Sequence, residues 1–212
     1  AAKILVVGAG VAGLQAIATA KRMGGIVFAT DVRMSSKEQV ESLGAKFVEV
    51  ESTEEDGIGE GGYAKETSDD YKQRQQQLIK EHIAKSDMVI TTALIPGRSA
   101  PVLIFEDMVK GMKHGSVIMD LAAENGGNCE LTKPGEVSIS HGVIIDGTLN
   151  LPATMPKHAS QLYAKNIITF LKHLCPEGEI NLDLDDEIIS GALFAHNGEI
   201  THEPTKEILN NS

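Results

Sequence analysis

The 212 residues are enough for one large domain or one and a half, and a 42% hydrophobic content is ample for a core. Nineteen basic against thirty acidic side chains leave a net charge of −11, which argues against nucleic acid or anionic lipid as a direct partner. No apolar run approaches the roughly 18 residues that cross a bilayer, the start carries no signal-peptide pattern, and Cys129 and Cys175 lack any disulfide or zinc spacing, so free thiols in a reducing compartment, no metal and no membrane insertion are expected.

Residues 4–31, ILVVGAGVAGLQAIATAKRMGGIVFATD, read as an apolar strand, the turn Gly8-x-Gly10-x-x-Gly13, an Ala-rich helix, a second apolar strand and Asp31. Together they make a complete βαβ cradle for a nicotinamide or flavin dinucleotide. Gly8 permits the tight strand-to-helix turn, Gly10 lets the backbone approach a pyrophosphate, and Gly13 lets the helix pack close on the strand. The phosphates belong at the helix N-terminus, where unpaired N–H groups and the positive dipole end favour an anion. Asp31, 18 residues beyond Gly13, stands where an acceptor meets the adenosine ribose hydroxyls. A carboxylate there repels a 2′-phosphate, so NAD(H) is favoured over NADP(H). Arg33 is the counter-signal, since a guanidinium can meet a 2′-phosphate; beside Asp31 it is expected along the adenosine or in solvent.

The alternation continues with a helix at 36–43, a strand at 46–50, a helix at 69–85 and a strand at 88–92. A helix at 105–112 then leads to strands at 116–121 and 143–145. The pattern predicts an α/β fold, a Rossmann-type doubly wound parallel sheet. The near-continuous apolar runs ILVV, MVIT and SVIMDL suit strands covered on both faces. Ligands of such sheets lie at the carboxyl ends of the strands, so Gly8 to Gly13, Asp31, residues 92–94 and residues 120–122 are expected to converge.

Two stretches do not belong to a minimal domain of this kind. Residues 51–68, ESTEEDGIGEGGYAKETS, are acidic, glycine-rich and too long for a tight connection. They are either a lid, hinged by glycines including Gly62 and closing Tyr63 over the nucleotide, or a disordered acidic loop. The tail is the second stretch: a helix over about 157–174, then NLDLDDEIISGALF, an Asn197-Gly198 turn and EITH, read as short antiparallel strands. A hairpin with so little core suggests part of another domain, giving a nucleotide-binding domain over 1–155 and an incomplete second domain over 156–212.

ALIPGRSAP (93–101), DLAAENGGNCELTKPGE (120–136), GEGGYAKE (59–66) and SQLYAKN (160–166) closely resemble the NAD(H)-binding domain of the proton-translocating nicotinamide nucleotide transhydrogenases. The resemblance runs from Lys3 to His202 and implies a soluble domain that passes hydride, with Si/Re specificity, between NAD(H) and NADP(H) held on a second soluble domain. It further implies coupling to proton movement through a membrane domain, a homodimer, and a position on the cytoplasmic face of a bacterial membrane or the matrix face of a mitochondrial one. By the same resemblance Gly8, Gly10, Val11 and Gly13 lie at the pyrophosphate, Asp31, Val32 and Arg33 around the adenosine, Gly62 and Tyr63 in a closing mobile loop, and Leu94 near the nicotinamide half. It also implies a long N-terminal region, outside this sequence, that helps position the nicotinamide.

Direct hydride transfer needs two nicotinamide rings in contact but no general acid or base, so no catalytic residue is assigned. The seven histidines, at 82, 114, 141, 158, 173, 196 and 202, are scattered without metal spacing and read as surface or capping residues. Asp120 and Glu124 either touch ribose or hold the turn at 126–128. A related alternative is an alanine dehydrogenase, which commonly carries an aspartate acid–base residue where this chain has Glu124. A third is a non-enzymatic NAD-binding module.

Overall fold

The computed structural model describes residues 1–49, 69–95 and 97–210. Within these the chain divides into two compact units, 1–150 and 151–212.

The first unit is a seven-stranded sheet in the order β3-β2-β1-β4-β5-β7-β6. The central strand β1 (Lys3–Val7) pairs in parallel with β2 (Ile26–Thr30) on one side and β4 (Met88–Thr91) on the other. From β2 the sheet runs to β3 (Lys46–Phe47), and from β4 to β5 (Val117–Asp120) and β7 (Val143–Asp146), all parallel. The crossing from the β1–β2–β3 half to the β4–β5 half puts a topological switch point between β1 and β4, the crevice where such sheets bind ligands.

Alternation along β1 explains why its run is wholly apolar. Ile4 and Val6 enter a cluster with Ile17, Ala20, Val27, Ala29 and Val40, which packs helices α1 (Val11–Arg22) and α2 (Ser36–Ser42) on one face. Leu5 and Val7 enter the other cluster, with Ile83, Val89, Met108, Val109 and Ile118, beneath α3 (Asp69–Lys85) and α4 (Glu106–Lys110). Two covered faces leave no polar side for a strand such as LVV to present.

The expected parallel sheet forms and gains one edge strand, and two expectations need correction. The added β6 (Val137–Ser140) pairs antiparallel with β7 through a His141-Gly142 turn in which both residues have positive φ, 52° and 78°. That is the two-residue hairpin geometry that matches strand twist. Of the corrections, the first is that β3 is a two-residue strand rather than 46–50; Val48 N still donates to Ala29 O at 2.7 Å, and residue 50 lies outside the described residues. Last, the stretch read as tail strands holds a helix.

In the second unit, α5 (Leu151–Thr154) and α6 (Pro156–Leu174) are followed by α7 (Glu187–Ala192), not a strand. Asp186 caps α7, its Oδ1 accepting from the Ile188 and Ile189 backbone N–H groups at 2.9 Å each. The predicted hairpin does form, from β8 (Ala195–His196) and β9 (Glu199–Ile200) around Asn197 (φ 51°) and Gly198 (φ 83°), and α8 (Glu203–Asn210) follows it.

Candidate functional site

The carboxyl end of β1 carries the glycine turn. Gly8 has φ +101°, and a Cβ there would stand 2.5 Å from Thr92 Oγ1. At Gly13 a Cβ would fall 1.9 Å from the Gly8 carbonyl oxygen, so only glycine lets the first turn of α1 lie against the strand end. Gly10 is different: a Cβ there meets nothing nearer than Arg33 Nη2 at 3.9 Å. Its surroundings are open, so space over the turn rather than internal packing distinguishes this position.

Helix α1 starts from Gly10 with no side-chain cap and no acidic residue in its first turn, while Lys21 and Arg22 occupy the last turn. The first-turn N–H groups thus lack a side-chain acceptor, and the dipole is complemented only at its C-terminal end. Val11, at the first helical position, is 91% exposed. This is a helix end suited to an anion.

Asp31 follows β2 and turns its carboxylate back to the glycine turn. Oδ2 accepts from Ala9 N–H at 2.6 Å, and Oδ1 from Arg33 N–H at 2.8 Å. The Arg33 guanidinium completes a clasp, Nε donating to Oδ1 at 3.0 Å and Nη2 to Oδ2 at 3.3 Å. Burial pushes this carboxyl up, but the Arg33 guanidinium and the two backbone N–H donors outweigh it and hold it below the ordinary carboxylate range. The expected placement of Arg33 along the adenosine or in solvent is therefore incomplete, since the guanidinium sits on Asp31 itself. Val32 between them is exposed.

Across the switch point, Thr92 joins β4 to the turn: its N–H donates to Val7 O at 2.8 Å and its Oγ1 to Gly8 O at 3.0 Å. Leu94, two residues on, is exposed on the loop that follows. That loop is held by Asn128, fully buried, whose Oδ1 accepts from Ala93 N–H while Nδ2 donates to Ala93 O and Pro101 O. Asn128 in turn is fixed by Asp120. The Asp120 oxygens accept from Thr91 Oγ1, Ala122 N, Asn128 N, Cys129 N and Thr132 Oγ1 at 2.6–3.1 Å, with no part of the residue exposed. Asp120 is therefore the holder of the 126–128 turn rather than a ribose ligand. Glu124 Oε1 accepts from Asn150 N–H at 2.6 Å, another loop contact.

Of the predicted site residues, Gly8, Gly10, Gly13, Asp31 and Arg33 come together around one turn. Val11 and Val32 stand exposed beside them, and Leu94 stands on the β4 exit loop. Gly62 and Tyr63, with the 51–68 lid, lie outside the described residues. Thr92 fell within the expected convergence, but Asn128 and Thr132 did not figure as positioning residues. A GGN turn marks a bend in sequence, while the target of a buried amide does not show there.

The described histidines lie elsewhere. His82 packs on Phe28 with ring centroids 5.0 Å apart, where burial pushes its pKa down; His141 meets Glu106 and His173 meets Asp186, each at 2.9 Å. Among the described residues no group of three or more His, Cys, Asp or Glu could hold a metal ion. Cys129 is buried, which raises its thiol pKa and leaves it a poor nucleophile.

A family model described as "Alanine dehydrogenase/PNT, C-terminal domain" matches residues 1–203. An NAD(P) transhydrogenase subunit alpha polypeptide of Rhodospirillum rubrum is 50% identical over 204 residues, 95% of this chain and 53% of that protein. A crystal structure of transhydrogenase from Sinorhizobium meliloti superposes with a TM-score of 0.75 at 48% identity, covering 94% of this chain and 52% of that one. Alanine dehydrogenase 1 of Staphylococcus aureus is more distant, 33% identical over 144 residues, 62% of this chain and 39% of that protein. The chain thus spans about half the length of the Rhodospirillum rubrum polypeptide. It belongs to the alanine dehydrogenase/PNT C-terminal domain family, and is more similar to the transhydrogenase alpha subunit than to the alanine dehydrogenase.

Proposed function

We propose that this chain is the NAD(H)-binding part of a proton-translocating NAD(P) transhydrogenase of the Si/Re-specific type, exchanging hydride with NADP(H) held on a partner domain. The observation that carries this reading is the uncapped N-terminus of α1 set over the Gly8–Gly10–Gly13 turn, with the Asp31 carboxylate hydrogen-bonded to that turn through Ala9 N–H at 2.6 Å. Open space at Gly10 beside N–H donors that have no side-chain acceptor fits a pyrophosphate, and the adjacent carboxylate fits a ribose diol while repelling a 2′-phosphate.

In this reading Gly8, Gly10, Val11 and Gly13 hold the pyrophosphate, Asp31, Val32 and Arg33 surround the adenosine, and Leu94 meets the nicotinamide half. Gly62 and Tyr63 belong to a closing loop. When bound, the nicotinamide gives or takes the hydride, a step that needs ring contact and no general acid or base. The chain's own task is positioning: α1 orients the phosphates, Asp31 fixes the ribose, and Asn128 with Asp120 sets the Leu94 loop. Asp120 and Glu124, each engaged on loop donors, are not spent on proton transfer.

The nucleotide-binding domain, expected over 1–155, is then the compact unit 1–150, and the residues that follow, expected as 156–212, contribute to an incomplete second domain. Helix α6 supports this, having no buried residue and exposing Leu162, Tyr163, Ile168 and Leu171. Further partners are the NADP(H)-binding domain, a proton-conducting membrane domain and a second copy of the chain, at the cytoplasmic or matrix face of the membrane. Among the described residues no helix is long and apolar enough to cross a membrane.

Titrating NADH and NADPH by nucleotide fluorescence, with wild type and Asp31→Asn side by side, tests the reading. NADH should bind, NADPH should not, and the substitution should weaken NADH about tenfold, the loss of one charged acceptor. A preference for NADPH overturns it. Hydride exchange only on addition of an NADP(H)-binding domain, with no oxidation of alanine, separates it from the dehydrogenase alternative.

A further inference from the structure

Asp31 already has as many donors as an ionised carboxylate takes. Such a group offers about four lone-pair sites, and four N–H groups fill them: Ala9 N, Arg33 N, Arg33 Nε and Arg33 Nη2. The two backbone donors belong to the fold, since they fix the chain leaving β1 and the chain leaving β2. The two guanidinium donors belong to a side chain that is 45% exposed, on a carboxylate that is 6% exposed. What the backbone leaves over is about two acceptor positions, the number that the two hydroxyls of a ribose diol require, and Arg33 sits on both.

We propose that Arg33 is a built-in occupant of the ribose acceptor: its guanidinium fills the positions on Asp31 that a ribose diol needs, and it must swing away before the diol binds. This rests on the NAD(H) reading above and adds to it a residue that sets affinity by competition. The guanidinium also keeps the carboxylate paired and hydrogen-bonded in the nucleotide-free protein, where a carboxylate so little exposed would be costly to leave unpaired. An exchange of this kind is feasible because a partly exposed ion pair is weak, so a diol replaces it at small net cost.

The test uses adenosine, which has the diol and no phosphate that Arg33 could attract, against 2′,3′-dideoxyadenosine, which has the same base and no diol. Affinities are read by ligand-observed NMR on the 212-residue chain. In Arg33→Met, adenosine should gain about three- to fivefold in affinity relative to the dideoxy compound, the range of a partly exposed ion pair. Arg33→Gln, which keeps a polar side chain without the charge, should move adenosine the same way. The Asp31 carboxyl, followed by carbon NMR, should titrate at higher pH in both variants. Equal changes for both nucleosides, or no gain for adenosine, overturn the competition. Unmoved Asp31 titration overturns the clasp. Wild type that fails to bind NADH overturns the NAD(H) reading and this proposal with it, a result distinct from normal NADH binding with no Arg33 effect.

Discussion

Glycines 10 and 13 sit three residues apart in one motif yet are glycine for opposite reasons. Gly13 is required by the fold, with a Cβ position 1.9 Å from the Gly8 carbonyl oxygen, whereas Gly10 has φ −74° and its Cβ position meets nothing nearer than 3.9 Å. Gly13→Ala should therefore destabilise by about 3 kcal/mol, the upper range of overpacking, and lower Tm by roughly 6–12 °C for a chain of this size. Gly10→Ala should melt at or slightly above wild type, because its backbone suits alanine and the unfolded chain loses freedom, yet bind NADH more weakly. Thermal melts and NADH titration of the two variants check this pair; a Gly10→Ala that binds normally removes the pyrophosphate from that position. The motif itself was legible because each glycine's role depends on its immediate neighbours. The hold of Asn128 on Ala93, 35 residues away, was not, because an amide in sequence carries no sign of its partners.

At the scale of elements, α7 and β6 show where local pattern misleads. The run NLDLDDEIIS alternates like a strand, but Asp186 supplies two hydrogen bonds to the first turn of a helix and Ile189 is buried, and the cap outweighs the alternation. The Ile189 N–H, and next the His173 ring, hold the Asp186 carboxyl below the ordinary carboxylate range. Because its folded pKa is depressed, its stabilisation is present above the unfolded value of about 3.9 and is lost as pH falls through the lower folded value. Asp186→Ala should speed hydrogen exchange of the α7 amides at about pH 6, an effect that shrinks as pH falls through the lowered folded value; equal protection at about pH 6 would remove the cap from the account. In β6 the sequence VSISHGVII held the hairpin signal, an alternating run, His-Gly and an apolar run, but the alternation turns its apolar residues Val137 and Ile139 outward, the reverse of a strand that buries its apolar face. By contrast α3, a long polar segment with apolar residues at helical spacing near its end, spans the predicted 69–85.

The whole molecule places both of its core clusters between residues 4 and 145. Among the described residues of the second unit only Ile189 is a buried hydrophobic. Residues 1–150 expressed alone should therefore melt cooperatively, within about 4 °C of the corresponding transition of the full chain, a change of about 1 kcal/mol in a domain of this size; calorimetry that finds no cooperative transition in the shorter chain contradicts this division. The amino-acid sequence by itself determined the βαβ cradle, the alternation of strands and helices, the Asn197-Gly198 hairpin and the family motifs, because these rest on neighbours along the chain and on the periods of strand and helix. Tertiary structure alone decided that Arg33 clasps Asp31, that Asp120 spends its oxygens on five donors from β4 and the loop after β5, and that an antiparallel strand closes the sheet edge. Those outcomes depend on side chains and strands meeting at hydrogen-bond distance, and for Arg33 and Asp31, two residues apart, as much as for Thr91 and Asp120, 29 apart, that distance is set only once the two faces of the sheet have packed.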